Sequence, residues 1–362
     1  MDAQFVVTSL GAFLLVVVSL ILLHELGHYV TARAFGLVPK AFSVGMGPEI
    51  AAFVDRKGTR WKFSAMPLGG YVKFAGEMHP GTGTPEEAAE EHSFASLARW
   101  KRACIIFAGP FTNLLVTAVI FLILSFSFGR TEIDSTIRMV TPASAAAEAG
   151  VMPGDKVVSW NGQEDPHIQS LIRYVKVHPD EALNITLERH GELVDKSIPI
   201  QRAEMRDSFG NRFQVGQVGI EFPMERVPLS GLADIYDVSV VETMRLFGLQ
   251  SVSMGQIVTG KRSLDEISGP IRMAKMSGEQ LSLGWIPLLY FAAIISIAIA
   301  FMNLLPVPGL DGGFLALYAV ETVTRKNATK ATMTKVMRGG YAVIATLMVF
   351  AFSNDIRVVF MS

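Results

Sequence analysis

The chain has 362 residues, half of them apolar, and a mean hydropathy of +0.37. Soluble globular domains rarely average so far into the apolar range, so membrane spans are expected. Thirty-two basic residues balance 33 acidic ones, which argues against a nucleic-acid footprint, and a single cysteine, Cys104, excludes an intrachain disulfide.

The first apolar run covers residues 5–23 and is interrupted only by Thr8 and Ser19. That is long enough to cross about 30 Å of hydrocarbon. Residues 1–4 carry no Lys or Arg, and the sequence His24-Glu25-Leu26-Gly27-His28 is a poor cleavage region, so the run reads as a retained helix rather than a signal peptide. Residues 42–50 hold Gly45 and Gly47, 61–75 reads as a hairpin around Pro67-Leu68-Gly69-Gly70, and 82–91 reads as a polar, acidic, solvated loop. A second span, 104–128, contains Gly109-Pro110 and Asn113; Cys104 at its start reads as a small buried hydrophobe.

Beyond residue 130 the pattern changes. Strand-like runs at 137–140, 156–160, 183–187 and 194–200 are separated by Pro-Gly-Asp and Asn-Gly turns. A short alanine-rich helix at 143–149 stops at Gly150, and a second helix covers 168–177, which gives a small α+β domain. From about 230 to 280 the spacing is mainly helical and suits a segment lying on the membrane face. A third span runs from 286 to 305. A fourth, 341–352, is short unless 333–340 or 356–361 extends it.

Basic residues set the orientation. Arg33, Lys40, Arg56, Lys57, Arg60, Lys62, Lys73, Arg99, Lys101 and Arg102 lie between spans one and two; Arg325, Lys326, Lys330, Lys335 and Arg338 lie between three and four. Both segments fall on one side, which the positive-inside rule makes cytoplasmic; the segment from 130 to 284 and both termini then face outward. The expected fold is a polytopic α-helical membrane protein with about four spans, a membrane-associated β-hairpin or sheet, and one extracytoplasmic α+β domain.

His24-Glu25-Leu26-Gly27-His28 matches H-E-x-x-H. On a helix the two histidines, four residues apart, share a face and can reach one zinc ion at about 2.0–2.1 Å. Glu25 stands beside them and can take a proton from water, whose pKa zinc lowers from 15.7 to about 7. A catalytic zinc needs a third protein ligand and an open position. Asn303-Leu304-Leu305-Pro306-Val307-Pro308-Gly309-Leu310-Asp311-Gly312-Gly313 supplies a candidate, because two prolines break the helix at the end of span three and put Asp311 where a carboxylate can complete a His₂Asp site. Alone, Asp311 would read as a turn residue and Asn303 as an interhelical hydrogen-bonding group.

These residues, with Phe107-Ala108-Gly109-Pro110-Phe111-Thr112-Asn113, resemble the signature set of the site-2 protease family of intramembrane zinc metalloproteases. The bacterial regulator-of-sigma-E protease branch is the nearer match: Val44-Gly45-Met46-Gly47-Pro48 and Gly70-Tyr71-Val72-Lys73-Phe74-Ala75-Gly76-Glu77 resemble its membrane-associated β-elements, and 264–271 fits it too. Val140-Thr141-Pro142-Ala143-Ser144 through Pro153-Gly154-Asp155 to Asn161-Gly162 resembles a bacterial PDZ domain.

The resemblance implies an inner-membrane metalloendopeptidase with one catalytic Zn²⁺ held by His24, His28 and Asp311, and Glu25 as general base. Asn303 would hold the unwound substrate backbone, and Gly70, Tyr71 and Val72 would offer an edge for β-augmentation. Asn113 would contact substrate or pack spans one and two together. Substrates would be single-span membrane proteins of the anti-sigma-factor type, and remnant signal peptides. The PDZ-like domain would exclude bulky outer domains or bind peptide; membrane lipid would be the other partner, and nucleic acid would not be one. The implied organisation is 1–35 first span, 36–102 cytoplasmic-side β-elements and loop, 103–129 second span, 130–223 PDZ-like domain, 224–285 helical linker, 286–314 third span, and 315–362 basic loop with the fourth span. An inactive adaptor would most simply have lost Glu25, and a cation transporter would show repeat symmetry in its spans; neither holds here.

Overall fold

The computed structural model of the chain describes residues 3–76, 93–164, 168–206, 212–260, 268–326 and 328–361. The loop expected at 82–91, Glu77 and the start of the 264–271 motif lie outside them. In chain order the elements are α1 (Ala3–Ala34), β1 (Ala41–Val54), β2 (Arg60–Lys73), α2 (Arg99–Phe128), β3 (Arg130–Ile133), β4 (Met139–Val140), α3 (Ala145–Glu148), β5 (Lys156–Trp160) and α4 (Ile168–Val177). There follow β6 (Ala182–Arg189), β7 (Glu192–Pro199), β8 (Gln201–Arg206), β9 (Arg212–Gln217), β10 (Ile220–Glu221) and β11 (Met224–Val227). The chain ends in α5 (Leu232–Tyr236), α6 (Glu242–Val258), α7 (Pro270–Ser282), α8 (Trp285–Leu304), α9 (Asp311–Thr324) and α10 (Lys330–Met361), with a π-turn at Asp237–Val241 between α5 and α6. Four helices are long and apolar enough to cross a membrane: α1, α2, α8 and Ala331–Arg357 within α10. The last is a single continuous helix, so the short apolar run at 341–352 is extended on both sides.

The chain divides into two compact units, Met1–Leu124 with Gly231–Arg357, and Ser125–Ser230 with Val358–Ser362. In the first, α1 buries Ala12, Val16, Leu20, His24, His28 and Ala32, one stripe at intervals of four. Its N-terminal part packs on Leu288, Phe291, Ala292 and Ile295 of α8. The helix also meets α7 closely, because Gly278 has no side chain where Ser9 lies. The same stripe that holds the bundle together therefore carries both histidines inward.

The hairpin expected at 61–75 around Pro67-Leu68-Gly69-Gly70 does not form, because its two arms pair with β1 on either side rather than with each other. Residues 41–44 pair in parallel with 60–63 and antiparallel with 70–73, while 51–54 pair antiparallel with 60–63. Each strand is bent near its middle, at Gly45 and Gly47 in β1 and at Gly69 in β2, all with positive φ. Four segments thus lie side by side in the order 70–73, 41–44, 60–63, 51–54, and 70–73 is an outer edge. Asp55 closes the turn between β1 and β2: it accepts from the Lys57 and Thr59 amides, Trp61 Nε1 and Tyr29 Oη. The Trp61 hydrogen bond, with the others, holds its carboxyl down at about 2. Phe42 and Val72 of the sheet, and Phe74 just past it, pack with Ala32, Ile105, Ile106, Phe314 and Tyr318, joining sheet, α1, α2 and α9 in one core.

Two further expectations need correction. Cys104 is exposed rather than buried; the inward face of α2 at this level is taken by Ile105 and Ile106. The third span expected to 314 stops at Leu304, and residues 311–324 form a separate helix that takes up the start of the expected basic loop. Gly312 and Gly313 allow it, since side chains there would run into the carbonyls of Leu304, Leu305 and Val307.

The second unit is an α+β body around one core that includes Ile137, Val157, Trp160, Leu171, Leu183, Leu187 and Ile198. β5, β6 and β7 form an antiparallel sheet, and β3–β11, β4–β10 and β8–β9 pair as two-stranded ribbons. Ser144 caps α3 by accepting from the Ala147 amide. Asp155 binds the Met152 amide and is gripped by Arg189 Nε and Nη2, each at 2.7 Å.

Candidate metal centre

Three side chains from two helices converge on one point. His24 and His28 come from the C-terminal half of α1, and Asp311 is the first residue of α9, just past the Pro306-Val307-Pro308 break. The Asp311 Oδ2 atom lies 3.1 Å from His24 Nε2 and 3.6 Å from His28 Nε2, and the two Nε2 atoms are 3.2 Å apart. Donor atoms around a tetrahedral zinc at about 2.0–2.1 Å sit roughly 3.3 Å from one another, so the set has the right size for zinc. Both histidines are buried, and Asp311 Oδ2 is buried without a hydrogen bond although two nitrogens stand beside it. Three acceptor-capable atoms facing one another in a buried site suit a cation.

The space between them is kept open by Gly109 of α2. A Cβ there would press on His28 Nε2 and lie 2.7 Å from His24 Nε2, where the metal belongs. Gly27 of α1 allows the approach, since a Cβ at that position would lie 2.5 Å from the Ala108 carbonyl oxygen and collide with Thr112. The second helix also fixes the rings. His28 Nδ1 lies 2.8 Å from the Ile105 carbonyl, and Asn113 Nδ2 lies 3.3 Å from His24 Nδ1. Pro110, having no N–H, leaves the Ile106 carbonyl unpaired within the helix.

Glu25 is half-buried beside this cluster and faces the sheet edge: a Cβ on Gly70 would lie 3.3 Å from Glu25 Cγ. From Gly70 the edge continues with Tyr71 exposed and Val72 buried, as alternation requires. Among the described residues no strand pairs with the outer side of 70–73. Asn303 is half-buried in the last turn of α8, with no side-chain hydrogen bond to the histidines or Asp311. Gly109 and the Ile105 carbonyl escape sequence reasoning. The signal for the glycine was its place beside Pro110 within an apolar span.

The model of peptidase family M50 matches residues 12–347 of the chain. A protein of Rhizobium meliloti, classed by its name among zinc metalloproteases, is 38% identical over 364 residues, covering 97% of both chains. A counterpart from Agrobacterium fabrum with the same kind of name is 37% identical over 95% of this chain and 94% of its own. Metalloprotease MmpA of Caulobacter vibrioides is 29% identical over 95% of this chain and 96% of its own.

Proposed function

The chain belongs to peptidase family M50, the site-2 proteases, and is a multi-pass membrane zinc metalloprotease; on that premise we propose that it hydrolyses peptide bonds within or beside the transmembrane segments of single-span membrane proteins. One observation carries this reading: the His24–His28–Asp311 cluster sits where the apolar run of α1 ends, with Glu25 facing a sheet edge that no strand among the described residues pairs with.

His24, His28 and Asp311 would hold the zinc, which when bound supplies Lewis-acid charge and makes water ionisable near neutral pH. Glu25 takes the proton from the attacking water and passes it to the departing amine. A transmembrane substrate hides its peptide bonds in i→i−4 hydrogen bonds and must unwind before any of them can be attacked. The 70–73 edge offers N–H and C=O groups to the released backbone, with Gly70, Tyr71 and Val72 as the contact residues and Asn303 as a further hydrogen-bonding group across the site. Gly70 sits next to Glu25, so a strand added there passes the base.

The basic segments around 33–102 and 325–338 favour a cytoplasmic-side centre, with the Ser125–Ser230 unit outward. We read that unit as a PDZ-like domain because of its Ser144-capped alanine helix and the Pro153-Gly154-Asp155 turn.

The test is Glu25→Gln in the full chain, reconstituted with a single-span reporter. Zinc content should stay at the wild-type level while cleavage falls at least about 10²-fold. Unchanged cleavage would remove Glu25 as the base.

A further inference from the structure

His28 shows what a zinc-ready histidine requires in this site. Its Nδ1 lies 2.8 Å from the Ile105 carbonyl. A carbonyl only accepts, so Nδ1 carries the hydrogen and Nε2 keeps a lone pair aimed at the centre. His24 presents its own Nε2 to the same point, and by the same rule its hydrogen belongs on Nδ1. Among the described residues the one group within hydrogen-bonding distance of that Nδ1 is the carboxamide of Asn113.

As placed, the amide turns Nδ2 toward His24 at 3.3 Å. That arrangement would leave Nδ1 as an acceptor and put the ring hydrogen on Nε2, pointing into the metal site. Among the described residues nothing else holds the amide this way round: its Oδ1 is buried and finds no hydrogen-bond partner there. The oxygen and nitrogen of a carboxamide are nearly alike in shape, and one of them stays unpartnered in either orientation. The histidine tautomer therefore decides, and it favours Oδ1 toward His24.

The residue itself is firmly anchored. Its backbone carbonyl accepts from Ser296 Oγ at 2.8 Å and Thr117 Oγ1 at 3.0 Å, and Thr117 Oγ1 also reaches the Ala293 carbonyl at 3.2 Å. Asn113, Thr117 and Ser296 are all fully buried. This hydroxyl clasp ties α2 to α8 and leaves the amide facing His24 and out of reach of a substrate.

We propose that Asn113 is a positioning residue: its Oδ1 accepts the Nδ1 hydrogen of His24 and thereby sets the tautomer and ring orientation through which His24 ligates zinc. The proposal rests on His24, His28 and Asp311 being the zinc ligands. It separates Asn113 from the substrate contacts, and makes it for His24 what the Ile105 carbonyl is for His28.

The experiment uses the full chain in detergent, wild type against Asn113→Asp and Asn113→Leu. Zinc dissociation constants are measured by chelator competition, and histidine ¹⁵N spectra are recorded on zinc-loaded protein. Asn113→Asp keeps an acceptor at the same place and should hold zinc within about threefold of wild type. Asn113→Leu has no acceptor and should bind zinc 10- to 100-fold more weakly, on the order found when such outer partners are lost. Wild-type His24 should show a protonated Nδ1 and a metal-bearing Nε2. A Leu variant with wild-type affinity, an Asp variant as weak as Leu, or a wild-type His24 with bare Nδ1 would each overturn the proposal. If the Leu variant does not fold, the Asp variant and the wild-type spectrum decide. Wild-type zinc affinity surviving His28→Ala would instead remove the ligand assignment beneath it, a different failure with a different signature.

Discussion

Glycine at position 109 is dictated by what lies beside it. A methyl group there would meet His28 Nε2 and sit 2.7 Å from His24 Nε2, the two atoms that face Asp311. Gly109→Ala should therefore leave the helices in place and lower zinc affinity at least about tenfold, as other disruptions around metal ligands do. Metal analysis after dialysis checks it, with far-ultraviolet circular dichroism as the fold control; full zinc occupancy in the variant would mean that the ion sits elsewhere. At this scale the sequence is legible wherever chemistry and spacing coincide. Histidines four apart must share a face of a helix, and Pro306 and Pro308 must interrupt one, so His24, His28 and Asp311 can be nominated from the chain alone. Gly109 cannot, because its role is to be absent from a place that only the crossing of α1 and α2 creates. Asn113 can be named from its motif but not given its place there: its burial and its distance to His24 depend on how α8 clasps α2.

Among the elements, α10 does more than span. Gly340 has no side chain where Pro308 lies, and Gly309, with φ +101°, packs on Tyr341 and Ile344, so this helix seats the loop that delivers Asp311. Toward its other end Asp355 is fully buried against Arg272 at 2.8 Å, and accepts from the Gly269, Ile271 and Arg272 amides at the start of α7. One carboxylate thus both caps a helix and neutralises a buried guanidinium. Asp355→Ala would take this carboxylate away from a buried guanidinium and leave those amides without their acceptor, at a cost of about 3–5 kcal/mol. Thermal unfolding in detergent should show a large drop in midpoint. The double variant Arg272→Met with Asp355→Leu should recover most of it, since an apolar pair leaves no stranded charge. If the single and double variants melted alike, the cap rather than the ion pair would be the stabilising part. The apolar runs that became α1, α2 and α8 are readable from hydropathy, and α10 less so because its basic start dilutes the signal. The bent pairing of β1 with β2 and the helix at Asp311–Thr324 were not readable. The first depends on which of several registers the positive-φ glycines permit, and the second on two glycines that in isolation signal a turn.

For the molecule as a whole, the chain departs twice from the helical membrane pattern, and the larger departure is the Ser125–Ser230 unit. Alternation and turn residues marked several of its strands, including Lys156–Trp160, but the pairing of β3 with β11, ninety residues later, joins segments that no local pattern links. The unit's stability has a polar centre as well as an apolar one. Asp155 is buried, bonded by Arg189 through two nitrogens and by the Met152 amide, and Arg189 also donates to the Gly150 carbonyl at 2.8 Å. The Arg189 hydrogen bonds hold the Asp155 carboxyl below its ordinary range, against the opposing effect of burial. A group whose folded pKa is depressed contributes stability that is fully present above its unfolded value of about 3.9, and that contribution is lost as pH falls through the folded value. Acid should therefore loosen this unit in a window that begins just below pH 4. Asp155→Asn should lower its stability at neutral pH and flatten that acid limb, because the variant has no carboxylate left to protonate. Hydrogen exchange at Leu183, Ile185 and Leu187, the buried positions of β6, compared between wild type and variant from pH 7 down to pH 3, reads the unit inside the intact protein. The gap in protection between the two proteins should be widest at neutral pH and close as the pH drops below 4. A gap that stayed constant across the range would mean that the charge of Asp155 contributes nothing and that its hydrogen-bond geometry alone holds the turn.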